Sequence, residues 1–201
     1  KTFCSSNLAS AYSLQEKKTV IIGADLRKPR VHHDFNLDNS MGLSNYLIGK
    51  SSLEEITQQT SFENLDLIAS GPVPPNPSEL LSSNEFVELI HILKEKYERI
   101  IIDTSPIGLV SDARLLIDYS DIVLFVVRQR YTNKNTFQKI SEDLTTDKSK
   151  IGIIVNDIKQ KKSIYGGYGY GYGYGYGYGY GQGYYGEKVK KRKSIFKKNK
   201  S

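Results

Sequence analysis

One cysteine, Cys4, occurs in 201 residues. That excludes an internal disulfide and fits a reducing compartment. One methionine occurs, Met41, and the first residue is Lys1. The chain is therefore expected to be an N-terminally truncated fragment of a longer polypeptide. No apolar run reaches the ~18 residues of a transmembrane helix, and no signal peptide is visible; in a fragment, neither absence describes the parent protein. Most of the chain also lacks a charge excess. The net charge is +6, but residues 187–201 carry eight Lys/Arg against one Glu, so the other 186 residues sum to −1. A folded part this close to neutral argues against a broad nucleic-acid footprint.

One feature is present in excess. Residues 168–181 repeat Tyr-Gly seven times, and residues 165–185 hold ten of the fifteen tyrosines. Glycine loses the most backbone entropy on ordering, and the segment has no aliphatic side chains to offset that loss. The stretch is expected to be a disordered tether that displays phenol hydroxyls. Three segments follow: a folded domain over 1–157, long enough to bury a sizeable core; a Tyr/Gly tail over 158–186; and a polybasic terminus over 187–201. The basic run encloses Ile195-Phe196. Anionic lipid would attract such a segment, and a solvated terminus that aids solubility is an equal alternative.

Hydrophobic periodicity predicts alternating strands and helices. A helix is expected over 3–16, with Leu8, Ala11, Tyr12 and Gln15 on its inner side. The nearly all-apolar run 19–22 reads as a strand buried on both faces. Short helices are expected over 43–48 and 52–56, the latter opened by a Ser52/Glu55 capping box. A strand is expected over 65–69, and the proline-rich stretch 71–77 as a rigid loop. Residues 83–97 read as an amphipathic helix with Phe86, Leu89, Ile90 and Leu93 inward. Further strands are expected over 99–103, 121–127 and 150–156, with helices over 111–119 and 133–145. The fold class is α/β, a mostly parallel sheet with helices on both faces. Ligands in such sheets bind beyond the carboxyl ends of the strands. Asp25, Asp103 and Asn156 all fall there.

Lys1-Thr2, followed by a helix, has the form of the last two letters of a P-loop, whose Lys reaches phosphates and whose hydroxyl binds Mg²⁺. Ile100-Ile101-Ile102-Asp103 has the form of a Walker B strand, ending in a carboxylate able to hold that metal. Val20 to Arg27 is a second strand ending in an acid. A phosphate-handling domain tethered to a tyrosine run points to phosphoryl transfer onto tyrosine. His32-His33 have no partners at metal-ligand spacing and read as a solvated loop. Cys4, at a helix start, reads as a small packed residue.

These residues resemble the bacterial tyrosine kinases of capsule and exopolysaccharide synthesis, in the MinD/ParA-like branch of P-loop NTPases. The resemblance rests on Val20-Ile21-Ile22-Gly23-Ala24-Asp25-Leu26-Arg27-Lys28-Pro29-Arg30 as Walker A′, on Met41-Gly42-Leu43-Ser44, on residues 71–81, on Ile102-Asp103-Thr104-Ser105-Pro106, and on the tyrosine cluster. It implies ATP and Mg²⁺ as cofactors. Lys1 would contact the β/γ-phosphates, and Asn156 would lie near the adenine. Thr2, Asp103 and Asp25 would hold or neighbour the metal, and Asp25, Asp103 and Arg27 form the expected catalytic set. The phosphoacceptors would be Tyr165, Tyr168, Tyr170, Tyr172, Tyr174, Tyr176, Tyr178, Tyr180, Tyr184 and Tyr185. Many members carry Asp-x-Asp in Walker A′; Gly23 stands at the first of these positions, so a base role there falls on Asp25 or lapses.

The resemblance also implies a cytoplasmic domain of an inner-membrane protein, autophosphorylation between neighbours in a ring-shaped homo-oligomer, a chain-length-regulator membrane module on the same or a partner chain, and a tyrosine phosphatase. The chain is expected to lack the first strand and most of Walker A, and by itself to be inactive. A Gly-rich tether of ~15 residues spans about 20 Å r.m.s., enough to give a high effective concentration at an adjacent site. Two readings from other classes remain open: a ParA/MinD-like ATPase switch whose tail is not a substrate, and a non-catalytic scaffold that associates through its aromatic tail.

Overall fold

Thr19–Gly23 (β1) lies inside a sheet with all five of its residues buried, which its nearly all-apolar sequence permits and which the Thr19 hydroxyl tolerates by donating to Lys17 O. A computed structural model of the chain describes residues 1–108, 110–135, 137–138 and 150–158. In chain order the elements are α1 (Thr2–Ser13), β1, α2 (Val31–Phe35), α3 (Leu43–Leu47), α4 (Leu53–Ile56), β2 (Thr57–Gln59), β3 (Leu65–Ile68), α5 (Pro77–Leu81), α6 (Asn84–Lys96), β4 (Arg99–Asp103), α7 (Asp112–Leu115), a 3-10 turn Ile117–Tyr119, β5 (Ile122–Arg128) and β6 (Lys150–Asn156).

Four strands pair in the order β2-β3-β1-β4. Strand β1 runs parallel to both neighbours, and β2 is an antiparallel edge. Strands β5 and β6 form a separate parallel pair. Alternation along β1 sorts its side chains onto two cores. Val20 and Ile22 pack with Leu43, Ile56, Leu81 and the buried face of α6. Ile21 packs with Ala9 of α1, Val31 of α2, and Leu65 and Leu67 of β3. Helices therefore cover both faces, as the pattern predicts. The buried face of α6 is Phe86, Leu89, Ile90 and Leu93, the expected i, i+3, i+4, i+7 set. Truncating any of these to Ala removes about 2–5 kcal/mol. Glu85 in the first turn and Lys94 and Lys96 in the last complement the α6 dipole. The capping box at α4 forms as expected: Glu55 N donates to Ser52 Oγ (3.3 Å) and Ser52 N to Glu55 Oε2 (2.7 Å).

Some expectations require correction. Helix α1 ends at Ser13, and its buried residues are Ser6, Ala9 and Ser13, not Leu8, Ala11 and Tyr12. Small residues let the helix sit close to the sheet, and their hydroxyls are satisfied: Ser6 Oγ by Asp34 (2.7 Å) and Ser13 Oγ by Ser10 O (2.9 Å). Leu8 and Tyr12 instead line a cleft. The helix expected over 111–119 is a short α7 plus the 3-10 turn. His32 and His33 lie in α2, not in a loop, with ring centroids 4.0 Å apart. The helix expected over 133–145 lies largely outside the described residues, as do the tyrosine tail and the basic terminus. Among the described residues no helix is long and apolar enough to cross a membrane.

Among the described residues, strand β4 pairs only with β1, and β5 only with β6. Both line one cleft of about 1120 Å³, together with Cys4, Ser5, Leu8 and Tyr12 of α1. Ile122 and Leu124 of β5 are exposed there.

Candidate functional site

Register sets the site. Gly23 at the end of β1 pairs with Asp103 at the end of β4, and Ala24 N donates to Asp103 O at 2.8 Å. The carboxyl ends of the two strands therefore lie side by side, and Asp103, which ends β4, and Asp25, two residues past β1, both meet Lys1 at the N-terminus of α1. Asp103 is 2% exposed and fully satisfied. Its Oδ1 accepts from Lys1 Nζ (2.9 Å) and Ser5 Oγ (3.0 Å), and its Oδ2 from Thr2 Oγ1 (2.9 Å). Lys1 Nζ also lies 4.0 Å from Asp25 Oδ2. One cation thus bridges the two acids, in a half-buried setting where the attraction is screened little. Asp25 is held by its own loop, because Lys28 N donates to its Oδ1 at 3.0 Å.

The donor set fits a phosphate-bound Mg²⁺. Lys1 caps the N-terminus of the 12-residue α1, and a helix N-terminus offers free N–H groups and a positive dipole end to an anion. Thr2 Oγ1 and the carboxylates of Asp25 and Asp103 are hard oxygen ligands. No group of three or more His, Cys, Asp or Glu among the described residues forms a metal cage. Mg²⁺ needs none, since it usually takes one or two carboxylates and completes its shell with phosphate and water. Ser105 Oγ, two residues beyond Asp103, is buried with no hydrogen-bond partner among the described residues, an orphan polar atom beside the cluster.

Lys1, Thr2, Asp25 and Asp103 converge, and two expected residues do not join them. The Arg27 guanidinium forks onto Asp112, Nε to Oδ2 at 2.6 Å and Nη2 to Oδ1 at 3.0 Å, and Nη2 also reaches Ser78 Oγ at 3.1 Å. Asn156 ends β6, where its Oδ1 accepts from Asp157 N (2.9 Å) and its carbonyl from Gln129 N (3.1 Å). Ser5 and Asp112 were missed. Ser5 was discoverable, since it lies one helical turn from Lys1. Asp112 gave no signal, because an Asp in the first turn of a helix normally faces solvent.

A second cluster rigidifies the loop 71–77. Gly71 exchanges two hydrogen bonds with the Asn39 side chain (2.9 and 3.0 Å), and Ser44 Oγ donates to Pro72 O (2.8 Å). The backbones of 42 and 71 approach so closely that a Cβ on Gly42 would lie 2.4 Å from Gly71 N. Gly23 is similarly enclosed: a Cβ there would lie 2.7 Å from Ser70 Oγ and 2.8 Å from Val31 Cγ1.

Comparison with known proteins accounts for this arrangement. An AAA domain family matches residues 1–153. The tyrosine-protein kinase YwqD of Bacillus subtilis (strain 168) is 43% identical over 171 residues, covering 84% of this chain and 72% of that protein. The kinase domain of the Escherichia coli tyrosine kinase ETK superposes with a TM-score of 0.76 at 34% identity, covering 84% of this chain and 67% of its own. MinD of Pyrococcus horikoshii OT3, solved with Mg-ADP, shares the fold at TM-score 0.63 and 24% identity. With its two acids at neighbouring strand ends, its Lys-Thr at a helix start and these relatives, the chain belongs to the bacterial tyrosine-protein kinases.

Proposed function

We propose that the chain is the ATP- and Mg²⁺-dependent catalytic domain of a kinase that phosphorylates the tyrosine cluster 165–185 of neighbouring copies and thereby regulates capsule or exopolysaccharide polymerisation and export. The observation that carries this reading is the Asp103 carboxylate, buried and gripped by both Lys1 and Thr2, with Asp25 beside it. Lys1 would bind the phosphates of ATP, and Thr2 and Asp103 would hold Mg²⁺. The metal, when bound, neutralises the charge developing on the transferring phosphoryl group. Asp25 would take the acceptor's proton. A tyrosine hydroxyl has a pKa of about 10, so it attacks far better with a carboxylate in reach. The tyrosine oxygen forms the new P–O bond, the bond to ADP breaks, and the proton passes to Asp25. Arg27 would add a second cation, and Asn156 would face the base.

The division into a catalytic part over 1–157, a substrate tail over 158–186 and a basic terminus over 187–201 belongs to the same proposal. Its cleft between β4 and β5, flanked by strands that each pair on one side only among the described residues, would take a further sheet strand of the same polypeptide. Partners would be other copies in a ring, an inner-membrane chain-length-regulator module, a tyrosine phosphatase, and anionic lipid near the basic end, with the catalytic part in the cytoplasm. Each phosphate adds close to −2 charges near pH 7, so accumulating phosphotyrosines would repel one another and loosen the ring.

The test is mass spectrometry of the full-length protein after incubation with Mg-ATP. A ladder of phosphate states on 165–185 is expected. Changing the ten tyrosines to Phe should abolish most incorporation and leave nucleotide binding intact. One phosphorylated tyrosine within 1–157, with 165–185 unmodified, would transfer the weight to an ATPase switch.

A further inference from the structure

Asp112 is a buried carboxylate with no part in the chemistry above. Its side chain is 2% exposed. Burying a carboxylate without partners costs several kcal/mol, so what pairs with it is informative. Both oxygens are taken, Oδ2 by Arg27 Nε and Oδ1 by Arg27 Nη2 and by Ser78 Oγ at 2.6 Å. The hydrogen bonds from Arg27 and Ser78 hold its pKa below the ordinary aspartate value. A two-point fork fixes the plane of the guanidinium as well as its position, which Lys in place of Arg cannot do.

The other end of Arg27 is fixed as well. Ala24 and Leu26 are buried in the main core, Ala24 N is bonded to Asp103 O, and Lys28 N is bonded to Asp25. The guanidinium is close enough to Asp25 for that charge to help raise its pKa, after the larger effect of the Asp112 hydrogen bond. The fork uses the Nε and Nη2 edge. Nη1 makes no hydrogen bond among the described residues, and the side chain is 42% exposed. Arg27 is therefore a cation with one edge anchored and one edge free, two residues from an acid of the site. Ser78 is the second residue of α5, just after the loop whose start is pinned by Asn39 and Ser44.

We propose that Asp112, with Ser78, is a positioning residue that aims the free edge of Arg27 at the transferring phosphoryl group. The inference rests on the kinase reading, specifically on Arg27 taking part in transfer. An anchored guanidinium acts on charge that develops during transfer without reorganising at that moment. Misplacing such a group by about 1 Å costs about 10²-fold.

The experiment measures autophosphorylation rate, ATP affinity and Tm of the full-length protein and its variants. Arg27→Ala should lower kcat by about 10²-fold, and Asp112→Asn by at least about tenfold, each with ATP affinity within about threefold of wild type. The double variant should be no slower than Arg27→Ala, because two residues acting through one another are not additive. Guanidinium ion at millimolar concentration should restore part of the rate to Arg27→Ala and none to the double variant. Wild-type kcat in Asp112→Asn, additive losses, or equal rescue of both would overturn the positioning role while leaving the kinase reading in place. Wild-type kcat in Arg27→Ala would instead remove Arg27 from the mechanism. If Asp112→Asn fails to fold, Ser78→Ala substitutes for it: the expected result is a lowered kcat at unchanged ATP affinity, non-additive with Arg27→Ala, and an unchanged or additive kcat refutes the proposal.

Discussion

Replacing Gly42 by Ala tests whether the docking of α3 onto the strand tips is as tight as the backbone geometry requires. Gly42 has φ 177°, extended backbone open to any residue, so conformational strain is not the issue. The added Cβ would lie 2.3 Å from Ala69 O, 2.4 Å from Gly71 N and 2.7 Å from Ala69 C. All three are backbone atoms, and no side chain can rotate away to relieve them. Ordinary contact begins at 3.4 Å, so α3 and the 69–71 segment must separate by about 1 Å. That stretches Leu43 N–Ala69 O (2.8 Å) and Ser44 N–Ser70 O (3.0 Å). Overpacking costs about 1–3 kcal/mol, and each weakened hydrogen bond up to about 1 kcal/mol. A loss of about 3 kcal/mol lowers Tm by about 6–12 °C for a domain of this size. Gly49→Ala is the matched control. Gly49 has φ +70° and nothing within 4 Å of an added Cβ, so only the left-handed backbone cost of about 1 kcal/mol applies. Thermal unfolding followed by far-UV circular dichroism should separate the two. A Gly42→Ala protein melting within about 2 °C of wild type, or no lower than Gly49→Ala, would refute the reasoning.

Three further predictions concern charge. Asp103→Asn keeps the shape of the side chain but removes the anion that meets Lys1, Thr2 and Ser5; labelled-phosphate incorporation should fall by about 10²-fold or more, and Asp25→Asn should fall strongly as well, since Gly23 supplies no second acid. Asp112 has a folded pKa below its ordinary 3.8, so its stabilising contribution is complete above that value and is lost as pH falls through the lowered folded value. Plots of Tm against pH should therefore drop more steeply below pH 3.8 in wild type than in Asp112→Asn, and parallel acid limbs would contradict the pairing.

What was legible in the sequence was whatever a single element dictates for itself. The apolar run 19–22, the period of 86, 89, 90 and 93, and the Ser52/Glu55 box each carry their own instruction, and each formed as read. Structure imposed by a neighbour was not legible. Thr57-Gln58-Gln59 has no strand pattern; it becomes β2 because the edge of β3 offers unpaired backbone groups. The buried face of α1 is serine-rich, so a hydrophobic pattern pointed to the wrong side. At the site, the residue types at strand ends and helix start were readable because ligand chemistry demands them. The partner of Arg27 was not readable, because 85 residues separate it from Asp112 and only the fold brings them together.

The enclosure of Gly23 bears on how this chain can change. Its neighbours Ser70 and Val31 are each 1% exposed, and Ser70 Oγ has no hydrogen-bond partner among the described residues. Their side chains occupy the space that an acid at position 23 would need. A first acid at this position therefore has to displace two packed side chains. An Asp at 23 fits only if the Ser70 hydroxyl and the Val31 methyl turn or shift away, and the backbone nitrogen of Ser70, 3.1 Å from an added Cβ, limits how far that helps. Positions 23, 31 and 70 share one packed space, so the side chain at each bears on what fits at the others.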